Sequence, residues 1–350
     1  MRKKRLFWQI PFLVFLIIGT VWIVRQQNAM PFQHDKGSIF GTTYHIVYQS
    51  EKNFQRDYVS GPDGLKKINA VFSTYDSTST VSLINRNQPN VNIDDRFMAV
   101  YNLACSIAQA TDSAFDITVA PLVNAWGFGF KNEHMPSRQQ VDSILRFVGM
   151  DKFEIKTVET SSSRTRGYFK SDPRLMLDFN AIAKGYGVDV VARFLRLKGI
   201  KNFMVEIGGE VVVSGLNEKQ KPWKIGVTKP NDDSTGTDKE LQTVLNLTDI
   251  AMATSGNYRN FYYKGGKKYA HTIDPRTGYP VQHSILSATV LAKDCATADA
   301  YATSFMVLGL DKSKAVLAKH PELMAYFIYT DAHGHNAVWL SPALKAKIAP

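Results

Sequence analysis

Residues 6–24 run for nineteen positions without a charge, with Gln9 and Thr20 as the polar side chains among them. Such a stretch must satisfy its backbone groups internally if it sits in lipid, which makes it a helix. At 1.5 Å per residue it reaches roughly 28 Å, close to the hydrocarbon thickness of a bilayer. Arg2, Lys3, Lys4 and Arg5 precede it, a bias that keeps the N-terminus cytoplasmic and sends the rest across. The expectation is a signal-anchor over residues 1–25, a tether over 26–36 and a domain over 37–345. The protein is then single-pass in the inner (cytoplasmic) membrane, with that domain on the periplasmic, extracytoplasmic side. The competing reading is a cleaved signal peptide. The apolar run is long for one, and no small-x-small site lies just after it. No cysteine stands just behind it, which excludes a lipoprotein signal.

The same segment accounts for much of the net charge of +11. Arg2, Lys3, Lys4, Arg5 and Arg25 lie in a stretch of thirty residues without an acid. What remains is a mild excess with no long basic run, so no nucleic acid partner is expected. Hydrophobic residues at 44% and charged residues at 21% of a 350-residue chain exclude a mainly disordered or fibrous protein. Cys105 and Cys295, each alone in an apolar stretch, exclude a disulfide framework and a Cys-based zinc site. One bridge between them stays open.

Gly41-Thr42-Thr43-Tyr44-His45-Ile46-Val47-Tyr48 alternates with β-branched and aromatic residues and reads as a strand. Further strands are expected at 174–178, 202–206, 210–214, 222–227, 242–248 and 286–292. Helices are expected at 62–71, 94–111, 137–149, 181–198, 299–308 and 312–320. Residues 229–240 read as a surface loop. Strands and helices mix without a strict βαβ rhythm, so the fold class is α+β, mixed sheets with packed helices.

Four clusters combine polar, glycine and apolar residues in ways that a plain core does not require. The first occupies residues 115–129 and includes Asp116-Ile117-Thr118-Val119 and Trp126-Gly127-Phe128-Gly129. The second is Leu177-Asp178-Phe179-Asn180-Ala181-Ile182-Ala183-Lys184-Gly185-Tyr186. There an acid ends a strand and a Lys lies in the first turns of a helix, where free backbone donors favour an anion. The third joins Thr254-Ser255-Gly256-Asn257-Tyr258-Arg259 to His271-Thr272-Ile273-Asp274-Pro275-Arg276-Thr277-Gly278. In the fourth, Asp299 and Thr303 at i, i+4 share a helical face. Each has a plainer reading: Asp178 or Asp299 as a helix cap, Thr303 bonding its own backbone, and 274–278 as turn chemistry.

Taken in order, with Gly41-Thr42-Thr43-Tyr44, Ser73-Thr74-Tyr75, Ser79, Ser82, Asn85 and Ile207-Gly208-Gly209, these blocks resemble the FAD:protein FMN transferases of the ApbE family. The resemblance covers roughly residues 37–342. It implies an ApbE-like flavin transferase fold and an enzyme that takes FAD as substrate with Mg²⁺. Such an enzyme moves FMN onto a Thr (or Ser) hydroxyl of an acceptor protein, and AMP leaves. The acceptor implied is a membrane-associated redox protein. The family's metal site maps to the Ala181 carbonyl, Asp299 and Thr303, an all-oxygen set suited to Mg²⁺. Its FAD contacts map to Phe40, Tyr75, Ala114, Phe115, Asp116, Asp178, Lys184 and Ile273. Phe40 stands where Met is usual, and Glu206 and Glu210 flank the glycine pair where Asn and Asp are usual.

A pyrophosphate repels an incoming hydroxyl, so catalysis needs neutralised charge and in-line positioning. Lys184 suits the first task. His271, with an ordinary pKa near 6.5, suits the removal of the hydroxyl proton. Asp274 is the alternative base, or the group that orients His271. Two other functions share these motifs: an Mg²⁺-dependent FAD pyrophosphatase and a non-catalytic FAD-binding protein.

Overall fold

Alternation along the strands sets the architecture of the computed structural model, which describes residues 2–27, 30–128, 135–159, 164–230, 240–257, 261–264, 267–270 and 272–349. Eight strands form one sheet in chain order: β1 Phe32–Ile39, β2 Thr42–Gln49, β3 Phe203–Ile207, β4 Glu210–Ser214, β5 Ile250–Gly256, β6 Ile285–Ala292, β7 Met324–Thr330 and β8 Asn336–Leu340. Every neighbouring pair is antiparallel. Apart from the terminal helices Arg2–Gln27 and Pro342–Lys347, the remaining described secondary structure is inserted between these strands, which makes the fold α+β, as expected.

Side chains two apart point to one face. Ile46, Tyr48, Val205, Ile207 and Ala251 meet Val188, Val191 and Leu195 of the helix Ala183–Leu197. On the same side, Ala253, Ala288, Val290 and Phe327 meet Ala298, Ala302 and Phe305 of the helix Cys295–Leu308. The opposite parity, Val47, Val211, Val213, Met252, Leu291 and Ile328, packs on a hairpin of Trp223–Thr228 and Leu241–Leu247. A sheet covered on both faces explains why β4 and β6 are buried almost throughout. The helix Cys295–Leu308 is apolar nearly all round because it lies buried between the sheet and other helices.

Two tight turns close one end of the sheet. Phe40 and Gly41 have φ of 54° and 71°, and Gly208 and Gly209 have 61° and 97°. Each pair links strands in a two-residue hairpin, which demands positive φ at both central positions. The turns touch: a Cβ on Gly208 would come within 2.7 Å of Thr42 Cγ2.

Three expectations need correction. The stretch read as a tether is strand from Phe32 onward. Its anchor is polar: buried Asp35 accepts hydrogen bonds from Tyr48 Oη at 3.0 Å, Tyr58 Oη at 2.7 Å and Asn53 Nδ2 at 2.7 Å. Residues 174–178 are not a strand of the sheet; an isolated parallel bridge, Met176 to Val119, is their ladder contact. The last long helix begins at Cys295, four residues before the expected start, with Asp294 accepting from Thr297 N as its cap. Asp299 is therefore inside the helix and not its cap.

At the N-terminus, Arg2–Gln27 is helical and carries Pro11. Side chains are described for its residues 11–23, where Phe12, Phe15, Ile18 and Trp22 are exposed. Among the described residues no helix is long and apolar enough to cross a membrane. The flanks on which the anchor expectation leans, the side chains of 2–10 and 24–27, lie outside those described. So does most of the 229–240 loop.

Candidate active site

The four sequence clusters meet in a ring of contacts. Cluster two joins cluster one where Asp178 N–H donates to the Ile117 carbonyl at 2.7 Å. Cluster one joins cluster three through Trp126 Nε1, which donates to the Gly278 carbonyl at 2.7 Å, and through Trp126 and Tyr279 rings 5.6 Å apart. Cluster three joins cluster four where Ser255 Oγ and Thr303 Oγ1 lie 3.1 Å apart. Cluster four returns to cluster two: Gly185 N–H donates to Asp299 Oδ2 at 3.1 Å. Four segments far apart in sequence are thus linked in a ring that passes through the first turn of the helix Ala183–Leu197.

That turn gathers one ammonium and two buried carboxylates. Lys184 Nζ pairs with Glu210 Oε1. The next residue, Gly185, holds Asp299, which is 3% exposed. Burial alone would lower the Lys184 ammonium, but Asp299 and Glu210 outweigh it and hold it above its ordinary range. Burial pushes the Asp299 carboxyl up, against the pull of Lys184 and the Gly185 N–H. It pushes Glu210 up as well, with Lys184 opposing and Asp299 adding. A buried carboxylate with so little compensation is costly unless a cation serves it.

Close backbone approach makes this arrangement. A Cβ on Gly185 would lie 2.4 Å from the Cys295 carbonyl oxygen, so only glycine lets the helices touch here. Asp189, one turn further on, accepts from Cys295 N and Ala296 N at 2.8 Å each. It fastens the N-terminus of the second helix, and burial raises its carboxyl to about 7. Gly187 makes room for Phe40: its Cβ would come 2.5 Å from that ring.

The donors expected for a metal are a main-chain carbonyl at Ala181, a carboxylate at Asp299 and a hydroxyl at Thr303. These are hard oxygen ligands that fit Mg²⁺ in kind. Asp299 and Thr303 lie one helical turn apart, and Ala181 is just ahead of the helix that carries Gly185. Thr303 does not bond its own backbone; it faces Ser255. Among the described residues no group of three or more His, Cys, Asp and Glu side chains gathers to hold a metal.

The expected FAD contacts divide into surface and interior. Tyr75 is 84% exposed, on a turn held by Ser79 Oγ and Ser82 Oγ, both donating to the Ser73 carbonyl. Asp116 accepts from Thr118 N and Oγ1, and burial raises its carboxyl. It borders a cleft with Cys105, Gln109, Asp151 and Arg276. Asp178 accepts from Asn180 N at 2.7 Å and is raised by burial; it forms a local turn and does not cap the helix. Ala114, Phe115 and Ile273 have their side chains in the core.

Of the two candidate bases, His271 lies outside the described residues. Asp274 is engaged: Arg276 Nε and N donate to its Oδ1 and Arg276 Nη2 to its Oδ2, all within 2.9 Å. In the structure it clamps the turn 274–278 through this pairing. Cys105 and Cys295 are both free thiols.

Three supporting residues had no role assigned from the sequence. Asp189 was signalled by an acid inside the apolar run Val188-Asp189-Val190-Val191. Ser255 carried no signal apart from its block. Asn85 bonds both backbone groups of Leu177, donating to its carbonyl at 2.9 Å and accepting from its N–H at 2.7 Å. It sets the position of Asp178.

With this geometry in view, the comparisons with known proteins are specific. Residues 40–327 match the model of the ApbE family. The chain is 38% identical over 304 residues to the FAD:protein FMN transferase of Haemophilus influenzae, covering 84% of this chain and 86% of that protein. It is 35% identical over 305 residues to the Vibrio cholerae enzyme of the same name, covering 85% and 88%. The solved flavin transferase ApbE from Vibrio cholerae superposes with a TM-score of 0.77 at 33% identity, covering 91% of this chain and 99% of that one.

Proposed function

Because the chain belongs to the ApbE family, we propose that it transfers FMN from FAD to a Thr or Ser hydroxyl of an acceptor protein, with Mg²⁺, and releases AMP. The hydroxyl oxygen bonds to the FMN phosphorus, the pyrophosphate bridge breaks, the hydroxyl proton passes to a base and AMP carries off the bridging oxygen. The convergence of Lys184, Glu210 and Asp299 on one buried helix turn carries this reading. The relatives named FAD:protein FMN transferase support it.

Ala181, Asp299 and Thr303 would hold Mg²⁺, which when bound offsets charge on phosphate oxygens. Lys184, about a third exposed at its side chain, offers its ammonium to the same phosphates. Phe40, Tyr75 and Asp116 line the path for the flavin nucleotide. Tyr75, outward on a braced turn, suits stacking on a flat ring. His271 is the proposed base; the Arg276 clamp on Asp274 leaves that carboxylate the task of shaping the turn.

The N-terminal helix is the proposed single-pass anchor, with the catalytic domain outside the cytoplasm and a membrane-associated redox protein as acceptor. The basic start before an uncharged run and the exposed Phe12, Phe15 and Trp22 support it. Protease added to cells with a permeabilised outer layer should digest residues 31–350; their protection reverses the topology.

Incubation with FAD, Mg²⁺ and extract of the same cells, followed by a denaturing gel, tests the activity. A fluorescent flavin band on a second protein is expected. Free FMN without any labelled band points to a pyrophosphatase.

A further inference from the structure

Glu210 is 3% exposed, and its two oxygens fare differently. Oε1 pairs with Lys184 Nζ. Oε2 is buried and has no hydrogen-bond partner in the described structure. A carboxylate oxygen removed from water and left unpaired is among the costliest arrangements a core can hold. It persists where something else serves it.

The surroundings say what kind of group that is. Successive residues of one helical turn, Lys184 and Gly185, hold Glu210 and Asp299 respectively. The two carboxyl groups thus flank one site and share the single ammonium described there. Backbone fixes both. Glu210 follows the tight Gly208-Gly209 turn, paired with Ile207, and Asp299 is one turn inside a helix clamped by Asp189. Neither can swing into water.

We propose that Glu210 is a second carboxylate of the Mg²⁺ site, sharing the cation with Asp299, and that the Lys184 ammonium competes with that cation for both. The inference rests on the proposed metal site at Asp299. It extends the expected ligand set of Ala181, Asp299 and Thr303 by one residue and gives Lys184 two partners: the carboxylates, or the phosphates once a divalent cation has taken its place. Charge count and hard oxygen donors favour a small divalent ion.

Mn²⁺ alone, titrated into the detergent-solubilised full chain and followed by the resonance signal of free Mn²⁺, tests this without any turnover. The wild type should bind one ion. Glu210→Gln should weaken binding roughly tenfold or more, and Lys184→Met should tighten it, because a competing cation is gone. Should Glu210→Gln fail to fold, Glu210→Asp serves: it keeps the charge and draws the oxygens back by one methylene, so weaker binding at an intact melting temperature supports the proposal. Wild-type affinity in the folded Glu210 variant, together with lost binding in Asp299→Asn, overturns it and leaves Glu210 as the counter-ion of Lys184. Equal binding by wild type and Asp299→Asn, or none by either, removes the metal site itself and the proposal with it.

Discussion

Gly185→Ala adds one methyl group at the point where two helices meet the site. That methyl would lie 2.4 Å from the Cys295 oxygen, 2.7 Å from its carbonyl carbon and 2.8 Å from Ala296 Cα. All three are backbone atoms of a helix N-terminus, so no side chain can rotate away. Ordinary contact distances require the helices to part by roughly 1 Å. Overpacking of this kind costs about 1–3 kcal/mol. The parting also stretches the two 2.8 Å bonds to Asp189 and the 3.1 Å bond from Gly185 to Asp299, at about 0.5–1.5 kcal/mol each. Alanine's better helix propensity returns about 1 kcal/mol. The net expectation is a loss of about 2–6 kcal/mol, read as a lower melting temperature by circular dichroism. Because Asp299 shifts, FMN transfer should also need more Mg²⁺ to reach half its maximal rate. A variant that melts with the wild type and keeps its Mg²⁺ dependence would refute the close-approach reasoning.

Asp299→Asn should leave the melting temperature near that of the wild type while FMN transfer at limiting Mg²⁺ falls below detection; unchanged transfer removes Asp299 from the metal site. Asn85→Ala takes away both bonds to Leu177 and should destabilise by about 1–3 kcal/mol. It should also raise the KM for FAD through the displaced Asp178, and an unaltered KM would make Asn85 purely structural. Lys170 donates to the Ile84 and Leu175 carbonyls, and burial lowers its pKa to about 8 from 10.5. Between those values the unfolded chain holds a proton that the folded one has released, so this residue makes stability rise with pH. The stability difference between wild type and Lys170→Met, measured from pH 7 to 10.5, should therefore change in favour of the wild type. A constant difference contradicts the shift.

What could be read in the residues followed apolar periodicity and turn chemistry. The alternation in Thr42–Gln49 and the Gly-Gly pair between β3 and β4 were both legible, because each is a local rule. The strand Phe32–Ile39 was not. Its residues Phe-Gln-His-Asp-Lys-Gly-Ser-Ile are largely polar, and Asp35 docks through two tyrosine hydroxyls contributed by later segments. Residues 174–178 misled in the opposite sense. Leu175 and Leu177 alternate and are fully buried, yet the segment is held by the Asn85 side chain and one bridge to Val119. The candidate site was visible as four clusters of suitable chemistry. The roles of its partners Glu210 and Asp189 were not, because they arise from contacts that span 26 and 106 positions.

The most direct measurement is the intact mass of an acceptor protein after incubation with the enzyme, FAD and Mg²⁺, beside the same acceptor with its target Thr changed to Ala. Transfer predicts a gain equal to FMN less one water on the Thr form alone, with one AMP released for each modified chain. Release of FMN and AMP together, with both acceptors unmodified, would contradict it.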